Sequence, residues 1–141
     1  MERPELGLLL HRLTRDVLAR EQAILDGAGL AMWDYAVLVA LGGGDAPSQA
    51  QLAAATGRDK TRLIANLDHL DELGLVTREP DPDDRRHRVV ALTTRGRQVL
   101  KRCQAAIRAM EEDLLGALPR TVREPFERAL VELVDGAGKG E

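Results

Sequence analysis

The hydrophobic pattern is clearest in the middle of the chain. Leu63, Leu67 and Leu70 are spaced at i, i+4 and i+7, so we expect them to form the buried stripe of an amphipathic helix. This helix is predicted to begin at position 58 or 59 and to end at the glycine of the GLV segment. Directly after it, residues 75–79 and 88–92 have the pattern of two short strands joined by the polar turn PDPDDRRH. The middle of the chain therefore predicts a helix followed by a β-hairpin.

A short helix is predicted immediately before this one. Ser48 and Gln51 have the spacing of a capping box, which starts a helix, and Gly57 is expected to end it. Two helices joined by such a tight turn form a helix-turn-helix. Near its start, the second helix has small and basic side chains on its outward side. Such a surface suits insertion into a DNA major groove. This outward face consists of Arg58, Thr61, Arg62 and Ala65.

Helices are also predicted towards both ends of the chain. A long first helix runs from Pro4 to the glycines near position 28, and a second covers residues 31–41. Thr93 is expected to cap a helix that reaches about position 118, and Thr121 with Glu124 to form a capping box for the last one. The tail GAGKGE is expected to be disordered. The predicted fold class is mostly α with a small β-hairpin.

Length and composition predict one globular domain over residues 1–141. The chain is 44% hydrophobic and 30% charged, which is typical of a globular protein rather than a disordered one. No apolar segment approaches the roughly 18 residues of a membrane span, so we expect a cytoplasmic protein without a membrane partner. Cys103 is the single cysteine, which excludes an intrachain disulfide and a cysteine-based metal site.

Charge is distributed unevenly along the chain. The formal net charge is −3, which by itself argues against nucleic acid. Residues 58–102, however, contain 11 Lys and Arg against 8 Asp and Glu, whereas the remainder contains 9 against 15. Positive charge is therefore concentrated in the segment that would touch DNA.

The turn of the predicted hairpin carries three arginines. Arg85, Arg86 and Arg88 would meet phosphates or insert into a narrow minor groove. Asp84 is expected to fix the geometry of an arginine through a charge-assisted hydrogen bond. A solvated charged turn is the alternative interpretation of the same residues.

These segments resemble a known family. The run LAAATGRDKTRLIANLDHLDELGLVTR, followed by DPDDRRHRVVALTTRGRQVL, closely resembles the MarR family of winged helix-turn-helix transcription regulators. The wing pattern of that family is matched by Asp84, Arg86, Leu92, Thr93 and Gly96. One departure lies near position 66, where the family usually has an apolar residue and this chain has an asparagine.

The resemblance implies a winged helix-turn-helix with long N- and C-terminal dimerisation helices. The DNA-binding lobe would cover residues 31–92, and the helical dimerisation region would cover 4–28 and 94–135. The homodimer would bind a palindromic operator in double-stranded DNA, with half-sites roughly 10 bp apart. By resemblance, Lys60, Thr61 and Arg62 contact bases and phosphates, and Arg86 is the minor-groove arginine. The full predicted DNA-binding set is Ser48, Gln49, Arg58, Lys60, Thr61, Arg62, Ala65, Asp84, Arg85, Arg86 and Arg88.

The resemblance also implies an effector. Many family members release DNA when a small aromatic or phenolic anion binds between the dimer helices and the DNA-binding lobe. His11, Arg15, Trp33 and Tyr35 would line such a pocket here. The alternative interpretation is that the aromatic residues fill a packed core and that the histidine is a surface residue.

Catalytic and metal-binding functions are not expected. His11, His69 and His87 are far apart in the sequence and no two have the spacing of a ligand pair, so we expect no enzyme, metal or cofactor. The predicted function is a dimeric, sequence-specific transcriptional regulator, a repressor released by a small ligand. Two alternatives stay open: a winged helix used only for protein contacts, and an oxidant sensor acting through Cys103.

Overall fold

The fold is mostly helical with one β-hairpin, as predicted. The structure is a computed structural model that describes residues 2–44 and 47–139. Within these residues the elements are α1 (Leu6–Asp26), α2 (Met32–Leu41), α3 (Gln49–Thr56), α4 (Lys60–Glu72), β1 (Val76–Pro80), β2 (Arg88–Leu92), α5 (Thr94–Leu115) and α6 (Arg120–Lys139).

Caps and a glycine turn form the junction between α3 and α4. The Ser48 hydroxyl accepts a hydrogen bond from the Gln51 amide at 3.1 Å, and the Gln51 side chain accepts one from the Ser48 amide at 3.0 Å. These two bonds confirm the predicted capping box. Gly57 follows α3 with a φ of 71°, a left-handed conformation that favours glycine. Asp59 then caps α4 by accepting a hydrogen bond from the Arg62 amide at 3.0 Å.

The wing, residues 76–92, is an antiparallel hairpin. Val76 of β1 lies opposite Leu92 of β2. β2 has the predicted bounds, and β1 lies one residue later than predicted. The Val90 amide also donates a hydrogen bond of 3.0 Å to the Pro47 carbonyl, so the wing is tied to the segment that leads into α3.

The core of the helix-turn-helix is made by leucines and valines. Leu63, Leu67 and Leu70 each have 0% exposure, which confirms the buried stripe predicted for α4. α2 contributes Val37 and Leu38 to the same core, also with 0% exposure. Burial of these side chains fixes which face of α4 points outward.

The start of α5 packs closely against the end of the helix-turn-helix. The Thr93 hydroxyl accepts a hydrogen bond from the Gly96 amide at 2.9 Å and donates one to the Gly74 carbonyl at 2.7 Å. The predicted cap of α5 is therefore confirmed. A Cβ atom on Gly96 would overlap the carbonyl oxygen of Leu75, so this close approach requires glycine.

The predicted start of the last helix is wrong. α6 begins at Arg120, so Thr121 lies inside its first turn rather than at the cap. Pro119 precedes the helix, and its carbonyl accepts a hydrogen bond from the Val122 amide at 3.0 Å. A proline at this place costs no helical hydrogen bond, because the first amides of a helix have no intrahelical partner.

The predicted end of the last helix is also wrong for most of the tail. α6 continues through Gly136 to Lys139, where disorder was expected, and the last two residues lie outside the described residues. A glycine lowers helix propensity by about 1 kcal/mol but does not by itself end a helix. Neither Gly136 nor Gly138 has the positive φ of a helix-terminating glycine. α5, in turn, ends at Leu115, before the predicted position 118.

The described residues group into two compact units. Those up to Ile107 form the first unit, which contains α1 to α4, the wing and most of α5. Those from Arg108 onward form the second unit, in which Phe126 and Leu130 of α6 are half-buried. The same helix exposes Val131, Leu133 and Val134. A single domain over residues 1–141 stays a prediction.

Candidate nucleic-acid interface

The basic start of α4 is exposed. Lys60, Thr61, Arg62 and Ala65 are all exposed, as expected for the side opposite the buried leucines. The Arg62 side chain is 72% exposed and its Nε lies 3.3 Å from a carboxylate oxygen of Asp59. Exposed ion pairs of this kind contribute little free energy, so Arg62 is available to bind another anion.

Ser48 and Gln49 lie at the start of α3. Both are half-buried, and the Ser48 hydroxyl is engaged in the capping box. Their role in DNA binding stays a prediction.

A bidentate ion pair orders the tip of the wing. Nε and Nη2 of Arg86 donate hydrogen bonds of 3.0 and 3.1 Å to the two carboxylate oxygens of Asp84, which confirms the predicted contact. Hydrogen bonds from the Arg86 side chain, and then from its backbone, lower the pKa of Asp84. The same side-chain bond raises the pKa of Arg86. The Arg86 side chain is nevertheless 86% exposed, and Arg85 and Arg88 beside it are exposed as well.

Arg78 connects the wing to the end of α4. Its Nη1 lies 2.7 Å from Asp68 and its Nη2 lies 3.0 Å from Asp71, while its side chain is only 19% exposed. Burial acts to lower the pKa of Arg78, but hydrogen bonds to the two carboxylates outweigh it and the pKa is raised. This bridge was not predicted from the sequence, because Asp68 has no visible partner until β1 folds back along α4.

A buried carboxylate connects α2 to α4. Asp34 is 2% exposed, and its Oδ2 accepts a hydrogen bond of 2.8 Å from the Ala31 amide at the start of α2. Its Oδ1 accepts a bond of 2.7 Å from Nδ2 of Asn66, whose own Oδ1 accepts one of 2.9 Å from Nε of Arg58. This network was not predicted from the sequence. Asn66 was the available signal, because a polar residue at a usually apolar position requires a buried partner.

Two further side chains surround Asp34. Nε2 of His69 lies 2.9 Å from the Gly29 carbonyl and 3.7 Å from Oδ2 of Asp34. The guanidinium carbon of Arg58 lies 4.6 Å from the centroid of the Trp33 ring, a cation–π distance. Arg58 was predicted to belong to an outward face; it is half-buried and its side chain is directed to α2 and α4.

The predicted effector-binding residues lie apart from the cavity beside α4. That cavity has a volume of about 550 Å³ and is lined by residues of α1, α2, α4 and the turns that precede α2 and α4. His11 and Arg15 are exposed on α1, Trp33 is 40% exposed beside Arg58, and Tyr35 packs partly against the core. None of these four lines the cavity. Their role in ligand binding stays a prediction.

Cys103 of α5 is buried. It is 4% exposed, and desolvation raises the pKa of its thiol, with the charge of Arg102 opposing the effect. Within residues 2–44 and 47–139, no group of three His, Cys, Asp or Glu side chains is arranged to hold a metal ion. In the same part of the chain, no helix has both the length and the apolar character needed to cross a membrane.

An exposed basic helix and an anchored wing define a winged helix-turn-helix protein. A sequence model of the MarR family matches residues 28–87, which contain α4 and most of the wing. This chain is similar to CouR from Rhodococcus jostii RHA1, whose structure is bound to p-coumaroyl-CoA. The two sequences are 31% identical, and the structures match over 92% of this chain and 91% of CouR with a TM-score of 0.73. The structure of a MarR family transcriptional regulator from Rhodococcus sp. RHA1 is 30% identical over 90% of each chain, with a TM-score of 0.75. The chain belongs to the MarR family of transcriptional regulators.

A mycobacterial protein is similar over almost the same length. The HTH-type transcriptional repressor Rv2887 of Mycobacterium tuberculosis is 29% identical over 128 residues, which are 91% of this chain and 92% of the repressor. Its structure in complex with DNA has 27% identity and a TM-score of 0.80, over 93% of this chain and 98% of that one.

Proposed function

We propose that this protein is a homodimeric, sequence-specific repressor that binds a palindromic operator and is released by a small aromatic or phenolic ligand. The observation that carries the proposal is that one compact unit contains both an exposed basic helix start and a wing that is tied to the end of the same helix by Arg78. The proposal implies that the protein acts in the cytoplasm, where its operator would lie.

Exposure and charge support DNA contacts by α4 and the wing. Lys60, Thr61 and Arg62 lie in the first turn of α4, where a helix end inserted in the major groove reaches base edges and phosphates. Arg86 extends from the tip of the wing, where it would reach the minor groove or the backbone. The structure of Rv2887 in complex with DNA supports DNA binding by this chain. Further proposed contacts are Ser48, Gln49, Ala65, Asp84, Arg85 and Arg88.

An uncovered apolar surface on α1 supports a dimer. Leu6, Leu8, Leu9, Leu10 and Leu13 are between 37% and 58% exposed. Leu6, Leu9, Leu10 and Leu13 share one side of the helix at its 3.6-residue period, and exposed apolar surface of this kind favours association with a partner. By family resemblance, that partner is a second copy of this chain, joined through segments 4–28 and 94–135.

A ligand-bound relative supports an effector. CouR is described in complex with p-coumaroyl-CoA, which contains a phenolic group. His11, Arg15, Trp33 and Tyr35 are the proposed ligand-binding residues of this chain.

Sedimentation and DNA binding test the proposal together. Analytical ultracentrifugation of the purified chain gives its oligomeric state. Fluorescence anisotropy on a labelled duplex from the DNA immediately upstream of its own gene, compared with a scrambled duplex across a salt series, gives affinity and preference. We expect a dimer that prefers the upstream duplex and whose affinity falls steeply with salt. A small phenolic acid should lower that affinity.

The outcomes separate the parts of the proposal. A monomer at the concentrations used for binding would overturn the dimer. Failure to bind either duplex at low salt would favour a winged helix used for protein contacts. Binding that no phenolic compound weakens would remove the proposed effector class and leave the DNA-binding function in place.

A further inference from the structure

Arg58 lies in the turn between α3 and α4, and its half-buried side chain contacts other residues of the protein. Its Nε donates a 2.9 Å hydrogen bond to Oδ1 of Asn66, which is 8 residues further along the chain. Its guanidinium carbon lies 4.6 Å from the centroid of the Trp33 ring on α2. One donor is therefore used within the protein, and the ring lies against the guanidinium.

The other end of this hydrogen-bonded chain is a buried negative charge. Nδ2 of Asn66 donates a 2.7 Å bond to Asp34, which is 2% exposed. A single amide thus connects the cation of Arg58 to the anion of Asp34. Because the two charges offset each other, the pair adds little net attraction for a phosphate.

Arg58 differs from the other arginines of the interface in its burial and in the elements that it contacts. The side chains of Arg62 and Arg86 are 72% and 86% exposed, and each pairs with a carboxylate close to it in the sequence. Arg58 is half-buried and contacts two different helices. Its contacts connect α4 to α2, whereas those of Arg62 and Arg86 stay within their own segments.

We propose that Arg58 is a positioning residue: through Asn66 and Asp34 it fixes the rotation of α4 against α2, and so sets sequence preference without contacting phosphate. This inference rests on the proposed DNA-binding function and revises the prediction that Arg58 contacts DNA. Hydrogen bonds to base edges depend strongly on angle, so a small rotation of α4 would weaken base recognition. Long-range attraction to phosphates would change little.

Arg58→Lys distinguishes positioning from phosphate binding. Lysine keeps the charge but lacks the planar guanidinium that bonds Asn66 and lies against Trp33. In the anisotropy assay described above, we expect Arg58→Lys to reduce the preference for the upstream duplex over the scrambled duplex by about tenfold. The slope of log affinity against log salt should equal that of the wild type. Arg58→Gln should lose the same preference.

Arg86 supplies the matched control. Arg86→Gln should reduce the salt slope by about 0.9, the value for one lost phosphate contact, and Arg86→Lys should restore most of it. Far-UV circular dichroism and thermal melting of each variant establish that it is folded before binding is compared.

A double mutant gives an independent test. If Arg58 acts through Asn66, Arg58→Lys combined with Asn66→Ala should lose no more preference than the more affected single variant. Additive losses, or an Arg58→Lys variant that keeps the wild-type preference, would overturn the inference while leaving the proposed function intact. A wild-type protein that does not prefer the upstream duplex would overturn the proposed function, and this inference with it.

Discussion

Nδ2 of Asn66 donates a 2.7 Å hydrogen bond to Oδ1 of Asp34, a residue that is 2% exposed. Asn66→Ala removes this donor and leaves a buried carboxylate oxygen without it. We expect the free energy of unfolding to fall by about 1–3 kcal/mol, measured by urea denaturation. Gln98→Ala, an exposed amide on α5, is the control and should change it by less than about 0.5 kcal/mol. Equal losses in the two variants would contradict the importance of the bond.

Gly96 tests the close packing of α5. Gly96→Ala would bring a methyl group onto the backbone of Leu75, and backbone cannot move aside as a side chain can. We expect a loss of about 1–3 kcal/mol in unfolding free energy. Gly136→Ala in α6 is the matched control, because a Cβ there meets no atom within 4 Å and alanine favours the helix. If Gly96→Ala were as stable as the wild type, α5 could not approach Leu75 as closely as described.

Arg62 and Arg86 should differ in how they affect DNA binding. Arg62→Ala should cost about 1–3 kcal/mol on the preferred duplex and much less on a scrambled one, if Arg62 reaches a base edge. Arg86→Ala should weaken binding to both duplexes evenly, if Arg86 serves the backbone. Anisotropy titrations of both variants on both duplexes measure the difference. Equal losses on the two duplexes for both variants would defeat this assignment.

The Asp84–Arg86 pair should depend on pH. The pKa of Asp84 is lowered chiefly by the Arg86 side chain, so it lies below the value of about 3.9 expected in the unfolded chain. The stabilisation is therefore complete above the unfolded pKa and is lost as pH falls through the folded one. We expect NMR titration of the Asp84 carboxyl to give a lower midpoint in the wild type than in Arg86→Gln. Arg85→Gln is the control, and an unchanged midpoint in Arg86→Gln would refute the pairing in solution.

Cys103 should be a poor oxidant sensor. Burial raises the pKa of its thiol and so reduces the thiolate fraction that reacts with peroxide at neutral pH. We expect an aromatic disulfide reagent to react slowly with the folded protein and rapidly in urea. Peroxide should affect DNA binding by the wild type and by Cys103→Ser to the same extent. Loss of a peroxide response in the variant would restore the oxidant-sensing alternative.

Local chemistry made much of the fold predictable. Ser48, Gln51, Gly57 and Thr93 lie where capping and glycine rules indicate helix ends, and these rules depend on residues only a few positions apart. The start of α6 was predicted wrongly because two plausible starting points, Arg120 and Thr121, lie next to each other. The helix begins at Arg120, directly after Pro119.

The contacts that hold the site together were harder to predict. Asp34 and Asn66 are 32 positions apart, and only the packing of α2 against α4 brings them together. Helical periodicity correctly gave the outward side of α4 at Arg62. Periodicity does not apply to Arg58, because this residue lies in the turn before α4, from which its long side chain reaches forward to Asn66.

The attachment of the wing has a thermodynamic consequence for binding. Hydrogen bonds from Arg78 to α4 and from Val90 to Pro47 orient the hairpin before any DNA is present. Ordering a flexible backbone costs about 1–2 kcal/mol per residue, and in this protein that entropy is lost during folding rather than on association. The backbone of the wing is therefore preorganised, so that DNA binding would restrict mainly the exposed arginine side chains.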